Sequence, residues 1–256
     1  MLDSRAVEQF FSVAAAPNNV IKTVFALIDR GMGNDAWQSF MTRCNEKGIS
    51  VEALMGDPQW IINKSTDNGP TLQRQLDWIK QYHNNVPKNA RFTGIHMDVE
   101  PWVVKGWDTN QEAYVNSLVS IADRVTSFAK TANLSVTADL PFWAHSIPCK
   151  GSTLGTCMLA RLDAATFMTY RNTAQNLIDL ATPLLKTAET ATPNKRVWLS
   201  VETKADVEEA ELISYAGKSV GTLLDDMATA EKFAAQYKNF AGIAIHHYKD
   251  FIALRS

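Results

Sequence analysis

Two rhythms of apolar residues alternate along this chain. Short, nearly continuous apolar runs read as β-strands: VIKTVFALID (20–29), ISVEALMG (49–56), FTGIHMDVE (92–100), LSVTADLPFW (134–143), DAATFMTY (163–170), RVWLSVETK (196–204) and FAGIAIHHY (240–248). Between them apolar residues recur every three or four positions, predicting helices over 4–16, 34–48, 70–82, 111–132, 174–186 and 223–237. Strands that are apolar on both faces belong to a parallel sheet covered by helices. An even β/α rhythm without a glycine-rich phosphate loop fits a (β/α)8 TIM barrel better than a doubly wound sheet. With no linker and no break in composition, a single domain over 1–256 is expected. The first helix, capped by Ser4, ought to follow a strand, so strand 1 is either short, with Met1–Asp3 as its remnant, or missing from this sequence. FTGIHMDVE is then strand 4.

Alternate residues of a strand share a face, so Gly94, His96, Asp98 and Glu100 point one way. Polar groups recur at or near the carboxyl ends of the predicted strands: Asp29, Glu52, Asp98 with Glu100, Asp139, Tyr170 with Arg171, Glu202 and His246. Active sites of β/α barrels are built on that face. One such residue alone reads as a solvated loop position or half of an ion pair; their recurrence from strand to strand points to a pocket. Glu100 stands out, because burial and a second carboxylate two residues earlier raise a carboxyl pKa, as a general acid for a glycosidic oxygen requires. The structural alternative is a carboxylate pair that neutralises a buried Arg or Lys. Trp60, Trp102, Trp107 and Trp143 fall just beyond strand ends, where flat rings stack on sugar faces, whereas Trp37, Trp78 and Trp198 sit inside elements and read as packing. Trp102, Trp143, Asp139, Arg171, Glu202, His246 and Glu52 are therefore the expected substrate-binding residues, with an oligo- or polysaccharide as partner.

A net charge of −2 gives no reason to expect nucleic acid or an acidic membrane surface. No apolar run approaches the roughly 18 residues of a membrane span. MLDSRAVEQFF has no basic stretch ahead of an apolar one, so no signal peptide is read there. Cys44 reads as a buried thiol. Cys149 and Cys157 bracket CKGSTLGTC, a spacing that permits a disulfide and with it a secreted or periplasmic location, or else holds two unrelated thiols. A monomer without metal or cofactor is expected.

FTGIHMDVE resembles the strand-4 signature D-x-x-D-x-D-x-E of the chitinase-like family 18 glycoside hydrolases, with its last Asp and Glu on Asp98 and Glu100. DAATFMTYR resembles the family's strand-6 MTYD, with Tyr170 in the tyrosine position, and the later runs fall where its strands 5, 7 and 8 belong. The chain is also similar to uncharacterised bacterial barrels carrying HLDVEP, YRN, ET and IHHY elements. The family resemblance implies that Glu100 protonates the leaving oxygen, that Asp98 orients an N-acetyl group which attacks the anomeric carbon, and that Tyr170 supports that acetamide. Thr93 and His96 replace two motif aspartates, Arg171 replaces the Asp after the tyrosine, and His246 and His247 stand near the family's strand-8 Trp. These departures weaken the implied acetamido-sugar specificity.

Three other readings use the same residues. Glu100 as acid/base with Glu202 as nucleophile would make a two-glutamate retaining glycosidase, if their carboxyls lie roughly 5 Å apart; otherwise Glu202 binds a hydroxyl or pairs with Arg171. His96, Asp98, Glu100, Glu52, His246 and His247 offer N and O ligands for a metal-dependent hydrolase, although no H-x-H or H-E-x-x-H pair is present. The third is a non-catalytic carbohydrate-binding barrel.

Overall fold

A computed structural model describes residues 4–15, 21–62, 71–192 and 194–255. The expected strand remnant at Met1–Asp3, the side chain of Ser4 and the start of the 70–82 helix at Pro70 lie outside them. In chain order the elements are α1 (Ser4–Ala14), β1 (Thr23–Leu27), α2 (Asn34–Glu46), β2 (Ser50–Met55), α3 (Leu72–Asn85), β3 (Gly94–Met97), α4 (Trp107–Ala132) and β4 (Ser135–Pro141). A small hairpin, β5 (Pro148–Cys149) with β6 (Ser152–Thr153), leads into α5 (Leu154–Leu159). Then come β7 (Ala164–Met168), α6 (Ala174–Ala191), β8 (Arg196–Glu202), α7 (Ala210–Ile213), α8 (Val220–Ala234), β9 (Phe240–His246) and α9 (Tyr248–Phe251). The seven long strands form one sheet in chain order, β1-β2-β3-β4-β7-β8-β9, and the assigned pairs are parallel. This is the β/α succession of a TIM-barrel-like fold, built from the seven strands read in the sequence.

Short polar caps set the helix starts. Thr71, Thr153, Thr173 and Ser219 each accept a hydrogen bond from the N–H three residues on, heading α3, α5, α6 and α8. Among the boundaries that differ from the sequence expectation, two bear on the candidate site. The β3 strand stops at Met97 rather than reaching Glu100, with one further ladder bond from the Asp98 N–H to the Met55 carbonyl (3.0 Å). Pro101 has no N–H to continue the ladder, and a 3-10 turn over Pro101–Val103 begins there. Helix α4 starts at Trp107 instead of 111, with non-helical angles at Asn110 marking where two helical pieces meet. Trp107 thus heads a helix.

The chain clusters into two compact units, one of residues 1–107 and 123–136, the other of 108–122 and 137–256. In the first, α1 lays Phe10 and Phe11 against Phe40 of α2, while Arg43 grips both Glu8 oxygens (2.6 and 3.0 Å) and covers the Phe11 ring. Trp37, Trp78, Tyr82 and Phe92 form an aromatic cluster ahead of β3. The cluster is pinned by polar bonds: Tyr82 donates to the Ala90 carbonyl (2.8 Å), and the Phe92 N–H donates to His83 Nε2 (3.2 Å). Gly56 has no room for a side chain, since a Cβ there would stand 1.6 Å from the Asp98 carbonyl oxygen. The loop after β2 therefore passes directly against the backbone that carries Asp98.

In the second unit, β7 and β8 are knitted by side chains as well as ladder bonds. The Thr169 hydroxyl donates to the Ser200 carbonyl and accepts from the Ser200 N–H (both 3.1 Å), while the Ser200 hydroxyl donates to the Phe167 carbonyl (3.0 Å). Between β8 and β9 the register slips by one residue: Val197 lies opposite Phe240, but Trp198 lies opposite Gly242. Gly242 absorbs the slip at φ 137°, a conformation open to glycine, with the Trp198 ring packed over its Cα. Cys149 and Cys157 form a disulfide across the hairpin, and Cys44 is a buried free thiol whose pKa burial pushes up to about 12.

Burial, with Arg91 nearby, lowers His83 to about 4 and keeps it the neutral acceptor that Phe92 needs. The unfolded chain binds a proton at this residue near pH 6.5 and the folded chain does not, so its contribution is present above pH 6.5 and is lost as pH falls toward 4. That loss amounts to roughly 3 kcal/mol across the window. Urea denaturation of the wild type from pH 7 to pH 4 should show the slope, and His83→Gln, which cannot titrate, should lack it.

Candidate active site

The two units each carry part of the predicted polar set. In the first, Phe25, Glu52 and Gly94 occupy one row across β1, β2 and β3, because Phe25 pairs with Glu52 and Glu52 with Gly94. A Cβ on Gly94 would stand 3.1 Å from Glu52 side-chain carbons, so the glycine makes room for that carboxylate to lie over the strand. His96, two residues on, is fully buried, and its ring stacks on Phe25 at 3.7 Å and 16°. Its Nδ1 stands 3.9 Å from Glu52 Oε2, an electrostatic neighbour beyond hydrogen-bond range. His96 is a buried histidine within β3. Glu52 was expected at a strand end, but it sits inside β2 and is buried.

Past the end of β3, half-buried Asp98 and Glu100 flank the buried Val99. Glu100 caps the 3-10 turn, its carbonyl accepting from the Val103 N–H (3.3 Å). Trp102 follows within the turn and meets Trp107 edge-on at 6.4 Å. Trp60 lies in the corresponding turn after β2, Pro58–Ile61, capped by Asp57. Leu27, Ile62 and Val103 are exposed on the segments following β1, β2 and β3 or at their ends.

The second unit's residues converge around one histidine. Slipping the register by one residue sets Glu202 opposite His246. His246 Nδ1 donates to Glu202 Oε2 at 2.7 Å, and Glu202 Oε1 accepts from the N–H groups of Thr203 (2.7 Å) and Lys204 (2.9 Å). The Thr203 hydroxyl bonds back to the carbonyls of His246 (2.9 Å) and His247 (3.2 Å), tying the two strand ends together. Burial works to raise the Glu202 carboxyl, but its bonds from His246, Lys204 and Thr203 outweigh that and hold it below the ordinary carboxylate value. The Glu202 hydrogen bond raises His246, against burial; Asp139 adds to the rise and Lys204 opposes it. The charged pair therefore persists between a lowered carboxyl value and a raised imidazole value. It is lost as pH falls through the first or rises through the second.

Tyr170 lies nearly parallel to His246, with ring centres 6.1 Å apart. Arg171 turns back to the Tyr170 carbonyl (2.7 Å) and over the Phe142 ring. Glu202 thus pairs with His246 and not with Arg171, one of the two roles expected in the absence of a nucleophile role. Trp143 sits in the turn after β4, edge-on to Phe142 at 4.7 Å. His247 pairs with Asp250 (2.8 Å). Among the described residues no group of three or more His, Cys, Asp or Glu side chains converges to hold a metal ion. No described helix is long and apolar enough to cross a membrane. Sequence reasoning missed the Glu202–His246 pair and the Phe25–His96 stack. The isolated Gly242 inside an apolar run was the available sign of a bulge.

No protein-family model matches the chain, and no curated protein matches it in sequence. Among solved structures it is similar to the xylanase-A-amylase inhibitor protein XAIP-III, with a TM-score of 0.53 and 14% identity over 95% of this chain and 88% of that one. It is also similar to the C-terminal domain of a putative chitinase from Desulfitobacterium hafniense DCB-2 (TM-score 0.49, 15% identity, 72% of this chain and 56% of that one). A class V chitinase from Pseudomonas fluorescens Pf-5 matches at a TM-score of 0.49 and 14% identity over 77% of this chain and 64% of that one. The chain thus spans less than two thirds of the length of these two chitinase structures. The likeness to XAIP-III is one of fold.

Replacing Gly242 by Ala should cost about 1–3 kcal/mol, because φ 137° is strained for any side chain. Urea denaturation reads that loss. The same variant should lower the titration midpoint of the His246 imidazole in an NMR pH series, since a one-residue relaxation of register removes Glu202 from the opposite position. An unchanged midpoint would mean that the bulge does not set the pair.

Proposed function

We propose that the chain is a single glycoside hydrolase-like catalytic domain, with Glu100 as general acid/base and Asp98 as its supporting carboxylate. The observation that carries the reading is the placement of these two half-buried carboxylates just past β3, on either side of a buried valine and next to Trp102. A carboxyl placed beside a scissile bond donates its proton to the leaving oxygen. Trp102 and Trp143 present ring faces to sugars, and the Tyr170 hydroxyl takes part in binding them. The resemblance of FTGIHMDVE and MTYR to family 18 signatures supports the same roles for Glu100, Asp98 and Tyr170. Replacement of the family's Asp and Trp by Arg171 and His246 weighs against attack by a substrate acetamide.

The two-glutamate alternative is less favoured. Both Glu202 oxygens are engaged by three donors, and the residue is 2% exposed, so its lone pairs are committed to the protein. The Cys149–Cys157 disulfide supports a secreted or periplasmic location, and the partner proposed with it is an oligo- or polysaccharide bound by a monomer, with no nucleic acid.

Glu100→Gln should abolish turnover of a glycan panel, followed by release of reducing ends, while leaving folding by circular dichroism and glycan binding by calorimetry intact. A fully active variant would remove the assignment. Binding by both proteins with turnover by neither would identify a carbohydrate-binding barrel.

A further inference from the structure

The last strand of the second unit ends on two histidines in succession, and each turns one ring nitrogen into the protein. His246 closes β9 and His247 precedes α9. His246 Nδ1 donates to Glu202 Oε2 at 2.7 Å, and Glu202 is itself fixed by the N–H groups of Thr203 and Lys204. His247 Nδ1 is buried and lies 2.8 Å from Asp250 Oδ2, a close ion-pair contact rather than an aligned hydrogen bond. Both backbones are pinned. The Thr203 hydroxyl donates to the carbonyls of His246 (2.9 Å) and His247 (3.2 Å), and the Phe251 N–H donates to the His247 carbonyl (3.0 Å). The two side chains are still 49% and 39% exposed. With Nδ1 engaged inside the protein, Nε2 is the nitrogen each ring keeps for a ligand.

A histidine that binds a metal through one nitrogen as a rule gives the other to a carboxylate or a carbonyl, which fixes the ring and strengthens it as a ligand. Here two neighbouring rings each have a carboxylate behind them. Their spacing agrees with a shared ion. Zn–N bonds are about 2 Å long, so each ring centre stands about 3 Å from the ion, and two rings on one tetrahedral ion have centres about 5 Å apart. The ring centres of His246 and His247 are 5.1 Å apart, with the planes inclined at 46°. We infer that His246 and His247 together bind one divalent transition-metal ion, Zn²⁺ or an ion of similar preference, through their Nε2 atoms, with Glu202 and Asp250 as the positioning carboxylates. This site lies wholly within the second unit and does not rest on the hydrolase reading.

The surrounding charge suits a cation. Glu202 and Asp250 stand against the two rings, and Asp139 of β4 adds a third carboxylate that favours positive charge on His246. Lys204 opposes it, but lies 3.8 Å from Asp206. Among the described residues no set of three His, Cys, Asp or Glu side chains converges on an ion. The remaining positions of a four-coordinate ion therefore fall to water or to an incoming oxygen ligand. A pair of imidazoles also selects by ligand type, since Zn²⁺ accepts nitrogen while Mg²⁺ requires oxygen.

The test uses the whole chain and the metal alone. Calorimetry with ZnCl₂ should give one ion per chain, and the ring NMR signals of His246 and His247 should move together and return on addition of EDTA. His246→Gln and His247→Gln should each weaken binding by about tenfold or more, whereas His145→Gln should bind as the wild type does. MgCl₂ should move neither ring. Circular dichroism checks the fold of each variant, and the wild-type ring signals decide the matter even where a variant fails to fold. Absence of binding, or binding that leaves either ring unmoved, would overturn the inference. A folded His247→Gln that binds Zn²⁺ as tightly as the wild type would do the same. An equal response to MgCl₂ would place the ion on carboxylates and remove the histidine site.

Discussion

A parallel ladder repeats its facing every two residues, so a one-residue slip between neighbouring strands exchanges the whole set of side chains that share a face. The slip between Val197 and Trp198 does this for β8 and β9, and Gly242 is the residue that lets β9 take it. With uninterrupted pairing, Glu202 would lie opposite Ile245, and a nearly fully buried carboxylate would face an alkyl side chain. With the bulge it meets His246, and the bonds from Thr203 and Lys204 complete its shell. The strand-end chemistry of the second unit thus depends on a backbone choice five residues before the histidine itself, counting from Ala241 to His246.

Burial and partner, rather than residue type, decide what each histidine does. His83 is buried as a neutral acceptor for one backbone N–H, and its proton affinity falls. His96 is stacked flat on Phe25 beside a carboxylate too distant for a hydrogen bond, an arrangement that fills space in the interior of the sheet. His246 has a buried carboxylate on Nδ1 and a half-exposed side chain, and its proton affinity rises. Of these three, only the last lies within hydrogen-bond reach of a carboxylate.

Much of the fold was legible because parallel strands covered on both faces leave continuous apolar runs, and Thr or Ser heads α3, α5, α6 and α8. The seven runs became the seven strands of the sheet. Exact strand ends were harder to read. FTGIHMDVE keeps a strand-like alternation to Glu100, yet the ladder stops at Met97 because Pro101 forces a turn that the pattern alone does not date. Glu202 and His246 were both identified as polar strand-end residues, but their partnership was not, since 44 residues separate them and the register that joins them is set by a glycine whose φ the sequence does not print. The crowding that makes Gly56 and Gly94 glycines is likewise a property of neighbouring strands.

A general acid on Glu100 implies that glycan turnover depends on that one carboxyl. Release of reducing ends from a glycan panel by the wild type and by Glu100→Gln, with glycan binding followed by calorimetry, measures this directly. The account predicts binding by both proteins and turnover by the wild type alone. A Glu100→Gln variant as active as the wild type would contradict it.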